Sequence, residues 1–149
     1  MKLMIRLLFS LIVLLTSTAQ GQSQTLKILD LSVYPAIEVD VVTGNPVDTT
    51  IIPYNLDFII NEASSASSVK LLFGTSKDIG DILDNTASII SQNGQYSIYY
   101  NGVSSPIINS YSGSIKVNLT RQQEAAFNFI TLFLIDDQGQ ETNRLYFVR

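Results

Sequence analysis

The chain has 149 residues with 13 acidic and 9 basic side chains, a formal net charge of −4, and no His, Cys or Trp. That length suits one domain, and a composition 46% hydrophobic and only 15% charged is too apolar for intrinsic disorder. Without His or Cys there is no Ser-His-Asp triad, Cys nucleophile, His/Cys zinc site, His- or Cys-ligated haem or iron–sulfur cluster, and no cofactor is expected.

The N-terminus carries Lys2 and Arg6, then the apolar run Leu7 to Leu15, then Thr16-Ser17-Thr18-Ala19. This is the charged, apolar and small-residue order of a secretory signal peptide, predicted to span residues 1–19 with cleavage after Ala19. Only nine residues separate Arg6 from Thr16, whereas a spanning helix needs roughly 20, so no stable transmembrane anchor is expected. The absence of Cys excludes a lipid-anchored form. Loss of Lys2 and Arg6 leaves 7 basic against 13 acidic residues, a net charge of −6 on Gln20 to Arg149. That balance disfavours nucleic acid as a partner. An exported domain without disulfides depends on core burial alone, which points to a bacterial protein of the periplasm, cell surface or extracellular space. The sequon Asn118-Leu119-Thr120 is a three-residue match of the kind that arises by chance.

Residues 20–25 form a polar stub, and a single domain is expected over residues 26–149. The pattern turns to period two from Leu26, and Ile37, Val39 and Val41 alternate with Glu38 and Asp40 as in a half-buried strand. Thr43 to Tyr54 reads as a loop, because Pro46 and Pro53 do not suit a central strand. Leu56, Phe58 and Ile60 and then Val69, Leu71 and Phe73 make two core strands joined by the Ser-rich turn Ala63 to Ser68. Ile79, Ile82 and Leu83 at i, i+3 and i+4, with Thr75 or Ser76 as cap and Asp78 in the first turn, predict a short amphipathic helix over residues 75–85.

Asn93-Gly94 and Asn101-Gly102 flank the six residues Gln95 to Tyr100. Asn-Gly supplies the two positive-φ positions of a type I′ turn, which predicts a three-stranded meander. Two-residue turns set its register: Gln92 faces Gln95, Ile89 faces Ile98 and Tyr100 faces Val103. Ile115, Val117 and Leu119 alternate in a further strand, after which Thr120 and Gln123 fit a capping box for one helical turn through Ala126. Asn128 to Ile135 is apolar on both faces, the mark of a central strand. Asp136 to Gly139 is a turn, and Leu145 and Phe147 lie in the last strand.

Seven to nine short strands without a parallel crossover predict an all-β fold, an antiparallel β-sandwich. The final third, with its helical turn, long apolar strand, Asp-rich turn with Gly139 and closing strand ETNRLYFVR, resembles the last hairpin of bacterial immunoglobulin-like and fibronectin type III-like modules. The resemblance is architectural, covers roughly Ala36 to Arg149, and departs from antibody domains in lacking the buried Trp and paired Cys. It implies an immunoglobulin-like sandwich serving as a spacer, adhesive unit or subunit of an envelope assembly, a function inferred by analogy of fold.

Chemistry-bearing patterns are sparse. Ser67-Ser68-Val69-Lys70 spells the S-x-x-K of penicillin-recognising enzymes, but Lys70 falls in a strand and the companion motifs are missing. Ser114 and Lys116 form another Ser/Lys pair on one strand. Carboxylate pairs suited to glycoside hydrolysis would come from Asp78, Asp81 and Asp84 or from Asp57 and Glu62, with solvated surface acids as the plainer explanation. Asp136, Asp137 and Glu141 around Gly139 offer hard oxygen ligands to calcium, yet ordinary hairpin-turn chemistry accounts for the same residues. No catalytic residue and no metal ligand is therefore assigned.

Two surfaces remain. If Val69, Leu71, Phe73, Ile130, Leu132, Leu134, Leu145 and Phe147 face the core, then Leu72, Phe133, Ile135 and Tyr146 share the opposite face and would form one apolar patch. Either the predicted 75–85 helix covers this patch or it binds a protein partner. The second surface is Tyr99, pointing outward beside Gln95 and Ser97, where it would stack on a sugar ring if the protein were a small carbohydrate-binding module. The leading expectation is a non-catalytic interaction or structural subunit at the cell envelope, with polysaccharide binding as the alternative.

Overall fold

The computed structural model describes residues 25–37, 39–45 and 50–149. The predicted signal peptide, the stub up to residue 24, Glu38 and Pro46 lie outside them. Among the described residues the order is β1 (Ile28–Pro35), β2 (Ile51–Ile60), β3 (Ala66–Gly74), β4 (Leu83–Gln92), β5 (Gln95–Tyr100), β6 (Val103–Pro106), β7 (Ser112–Thr120), α1 (Arg121–Ala126), β8 (Phe129–Asp136) and β9 (Leu145–Val148). The strands pair antiparallel in two sheets, β1-β2-β7 and β6-β5-β4-β3-β8-β9.

The facing sides of the two sheets make one core. From the smaller sheet come Leu56, Phe58, Ile60, Ile115, Val117 and Leu119, and from the larger Val69, Leu71, Phe73, Ile98, Ile130, Leu132 and Leu134, all buried in one cluster. Period two explains the selection, since alternate side chains of each strand reach the same face. Gly113 leaves room between the sheets: an added Cβ would lie 2.6 Å from Phe58 Cζ of its own sheet and 2.8 Å from Ile98 Cδ1 of the other. One end is plugged by Phe127, which packs edge-on against Tyr54 and Phe73 at ring separations of 5.6 and 5.4 Å.

Most of the expected elements are present. Both Asn-Gly pairs are two-residue turns with positive φ at Asn93, Gly94, Asn101 and Gly102, and Gln92, Ile89 and Tyr100 pair with Gln95, Ile98 and Val103. The capping box forms: Thr120 Oγ1 accepts the Gln123 amide and Gln123 Oε1 accepts the Thr120 amide. β8 is central, between β3 and β9.

Three expectations are corrected. The first strand is β1, upstream of the alternation at Ile37, Val39 and Val41, whose side chains are exposed. That segment turns instead, because the Asp40 carboxylate accepts the amides of Val42 and Thr43, and these bonds hold its carboxyl below the usual range. Second, Pro53 does lie in a central strand, β2. Its carbonyl accepts the Ala36 amide just beyond the end of β1, so its missing N–H falls where the ladder stops.

Third, residues 75–82 form a loop, and Leu83 begins β4 opposite Phe73. The Ile82 amide donates to the Phe73 carbonyl, Asp81 accepts both the amide and hydroxyl of Thr75, and Asp78 takes φ +64°. Gly80 weakens a helix there by about 1 kcal/mol, and the ladder to β3 recruits the residues that the helix needed. A Cβ on Gly74 would meet the Ile79 carbonyl oxygen at 1.8 Å, so this close loop closure requires glycine.

Asparagine side chains close the free end of the sandwich where β1 starts. Asn143 accepts the Ile28 amide and donates to the Ile28 carbonyl, at 3.0 and 2.8 Å. It thereby acts as a strand partner for β1 from the β8–β9 connection. Asn61 similarly accepts the Lys27 amide and donates to the Thr25 carbonyl. Asn143→Ala is expected to remove both bonds to Ile28 and to destabilise the fold by about 1–3 kcal/mol, read as a lowered urea midpoint with an unchanged slope.

Candidate functional site

The outer face of the larger sheet brings the predicted patch residues together as expected. Leu72 stands opposite Thr131, Thr131 opposite Tyr146, Lys70 opposite Phe133, and Ser68 opposite Ile135. The face is not open, however. Leu72 is 6% and Phe133 3% exposed, while Ile135 and Tyr146 are half-buried. Of the two alternatives for this face, cover is present, and it comes from the 75–82 loop in place of the expected helix.

This loop straps the face through a charged and aromatic network. Arg144 lies over the Phe133 ring at 4.3 Å and bonds Asp78 and Glu141 at 2.9 and 2.6 Å. Tyr146 donates its hydroxyl to Asp78 at 3.1 Å, and Lys77 sits 3.7 Å above the Tyr146 ring. The Asp78 amide reaches the buried Thr131 hydroxyl, and Leu72 abuts Gly80. Hydrogen bonding from Arg144, helped by Tyr146, holds the Asp78 carboxyl below its usual range against the opposing effect of burial, while burial and Asp78 push the Tyr146 hydroxyl up.

The other candidate chemistry is engaged in structure. Lys70 pairs with Asp84 and Thr86, and Ser67 donates to the carbonyls of Ile135 and Asp136, so the S-x-x-K residues face different partners. Asp57 accepts hydroxyls from Tyr34 and Ser114 at 2.6 Å each, and Glu62 accepts that of Ser64. Asp81 closes its own loop. Asp136 Oδ1 accepts the Gln138 and Gln140 amides, and Gly139 takes φ +78°, which is hairpin-turn chemistry. Among the described residues no cluster of acidic side chains is arranged to hold a metal ion. Tyr99 points outward as expected and is 46% exposed.

Sequence reasoning missed the strand edges and the loop-end clefts, because both depend on which strands become neighbours. Four edges exist among the described strands. β6 and β9 have four residues each, and β1 is clipped by Asn143. β7 is nine residues long and carries the alternating exposed residues Ser112, Ser114, Lys116, Asn118 and Thr120. Ser112 exchanges both backbone hydrogen bonds with Ile108, on the side away from β2. By period two the backbone groups of Ser114, Lys116 and Asn118 aim the same way. Beside them lies a cleft of about 180 Å³ with Ile98, Tyr100, Val103 and Ile115 in its walls.

Two more clefts, of about 360 and 300 Å³, share Tyr96 and Ser110 at the end of the sandwich formed by the β2–β3, β4–β5 and β6–β7 connections. Comparison of the chain with family models, curated proteins and solved structures returns no match. No described helix is long and apolar enough to cross a membrane.

The strap generates two predictions. Phe133→Ser is expected to cost roughly 3–5 kcal/mol of stability in urea unfolding, because it opens a buried site beneath Arg144. Since the Asp78 carboxyl is depressed in the folded state, its contribution is fully present above the ordinary value near pH 4 and is lost as pH falls through the lower folded value. Asp78→Asn should therefore lower stability at neutral pH and flatten its decline on acidification, measured as urea midpoints from neutral pH downward.

Proposed function

We propose that the chain is an exported, non-catalytic immunoglobulin-like module acting as an interaction or structural subunit at the bacterial cell envelope or surface. The strand order supports the lettering: β1-β2-β7 takes the places of A-B-E, and β5-β4-β3-β8-β9 those of C″-C′-C-F-G. The helical turn α1 lies between the strands corresponding to E and F. Strand β6, next in order after C″, stays paired with β5, and among the described strands none takes the place of D beside β7. The N-terminal targeting pattern supports export.

The uncovered β7 edge carries the interaction reading. Natural sheets shorten, cover or charge their edges, and this one is long and lies beside a cleft of mixed lining, with Ile98, Val103 and Ile115 next to Asn101, Ser105 and Asn118. An extended segment of a partner protein pairs with the backbone of Ser114 and Asn118, and its alternate side chains enter the cleft. A second copy of β7 is the poorer occupant, since antiparallel pairing centred on this strand sets Lys116 against Lys116.

Asn118→Pro tests this reading. Asn118 sits opposite Pro53, and its N–H aims at the open edge, so proline removes an edge donor without removing a β2 hydrogen bond. Its expected cost in stability is about 1 kcal/mol or less. Tagged Gln20 to Arg149 with a photo-crosslinker at Ser114 should join one defined envelope protein, and Asn118→Pro should abolish the adduct. Equal labelling by the folded variant, or no adduct with either bait, would overturn the proposal.

A further inference from the structure

We infer that the two clefts at the β2–β3, β4–β5 and β6–β7 end form a binding groove for a neutral oligosaccharide. This site is separate from the β7 edge and from Tyr99, and the inference does not rest on strand addition. Tyr96 and Ser110 line both clefts, which makes them adjoining parts of one groove. Tyr111, 54% exposed, lines the larger one. An exposed aromatic face beside a half-buried one matches the apolar C–H face of a pyranose ring, and the tyrosine hydroxyls provide polar tips.

The polar groups are carboxylate, hydroxyl and amide, types that pair with sugar hydroxyls, and Glu62 and Ser64 are bonded to each other in the unliganded cleft. Glu62 and Ser64 line the larger cleft, and Gln95 and Asn109 the smaller. Among the described residues of the lining Glu62 is the only charged one, with no Lys or Arg. A polyanionic glycan or a phosphate ester would therefore meet a carboxylate without a compensating cation, and a neutral chain is favoured. Asn61 also lines the groove, but its amide is bonded to Thr25 and Lys27 and serves as wall.

The groove is pre-shaped. Asn109 and Ser110 take φ +53° and +62° in succession, a left-handed pair that non-glycine residues adopt at a cost. The loop is kept there by the reciprocal bonds between Ile108 and Ser112, by the Tyr111 amide bonded to the Ile108 carbonyl, and by the Ile107 amide bonded to the Tyr96 carbonyl. Such ordering lowers the entropic cost of binding a flexible glycan.

The test is titration of 15N-labelled Gln20 to Arg149 with cellohexaose, laminarihexaose, xylohexaose and mannohexaose, with hexagalacturonic acid as the anionic control. Each is taken to about 5 mM, above the roughly millimolar Kd of a weak site. The expected result is that at least one neutral hexamer shifts the amides of Tyr96, Ser110 and Tyr111, whereas the anionic control does not. Tyr111→Ala should weaken that binding at least about tenfold, Tyr111→Phe should keep it, and Tyr99→Ala should leave it unchanged. Absence of shifts with all four neutral hexamers, loss through Tyr99→Ala, or stronger binding of the anionic control would each overturn the inference. Because Tyr111 is exposed, its variants are expected to fold, and unchanged spectra away from the groove verify that.

Discussion

The pairing of β3 with β8 is the constraint on which the remaining structure depends, because this pair is apolar on both faces. Its inner row sets Val69 against Leu134, Leu71 against Leu132 and Phe73 against Ile130, and all six side chains are buried. Its outer row includes Leu72 and Phe133, which are also buried. Half-solvated antiparallel sheets usually need cover on one side only; here two covers are required. The smaller sheet supplies the inner one, and the 75–82 strap with Arg144 supplies the outer one. The strap's ion pairs are individually weak because they are solvated. Arg144 and Lys77 also lie on aromatic rings, so desolvation of Phe133 contributes more than charge pairing does.

The unequal size of the sheets has its own consequence. Three strands cannot cover six, and the inner face of the larger sheet is left partly uncovered at β6, where Val103 is exposed, whereas Ile98 and Tyr100 of β5 are still buried. Tyr100 lies at this margin, accepting a 2.6 Å hydrogen bond from Asn85, which keeps the polar tips of two inward-facing residues satisfied. The cleft beside β7 opens at the same margin. A fourth strand in the smaller sheet would have both paired β7 and filled that cleft. Among the described strands, the missing neighbour of β7 and the adjoining cleft are thus one omission seen from two sides.

Local chemistry made much of the fold legible. The Asn-Gly turns fixed the β4-β5-β6 register because the turn geometry allows few alternatives, and the Thr120–Gln123 box marked α1. Where the sequence misled, a nonlocal partner overrode the local pattern. Ile79, Ile82 and Leu83 have helical spacing, but Leu83 pairs with Phe73 and the residues before it close a loop. Pro53 seemed barred from a central strand, yet it sits where β1 has already ended. Leu72, Phe133, Ile135 and Tyr146 were correctly placed on one face, whereas their cover came from a loop whose path no periodicity encodes. The clefts left no sequence signal, since Glu62, Gln95, Asn109 and Tyr111 come together only through strand order.

The β6–β7 connection links the two candidate surfaces physically. Two consecutive left-handed residues cost of order 1–3 kcal/mol each, and a free loop would relax out of that conformation. Asn109 and Ser110 cannot do so independently, because Ile108 on one side and Ser112 on the other close a bridge, and Ile107 is buried beneath Tyr96's strand. Ser112 is at once the last anchor of this loop and the first residue of the open edge. The ladder between β2 and β7 therefore fixes the strained loop from below, so the shape of the loop-end groove is set by the same strand whose far side stays uncovered. The sheet and the hydrogen bonds that close the loop onto it together keep the groove formed in the absence of a ligand.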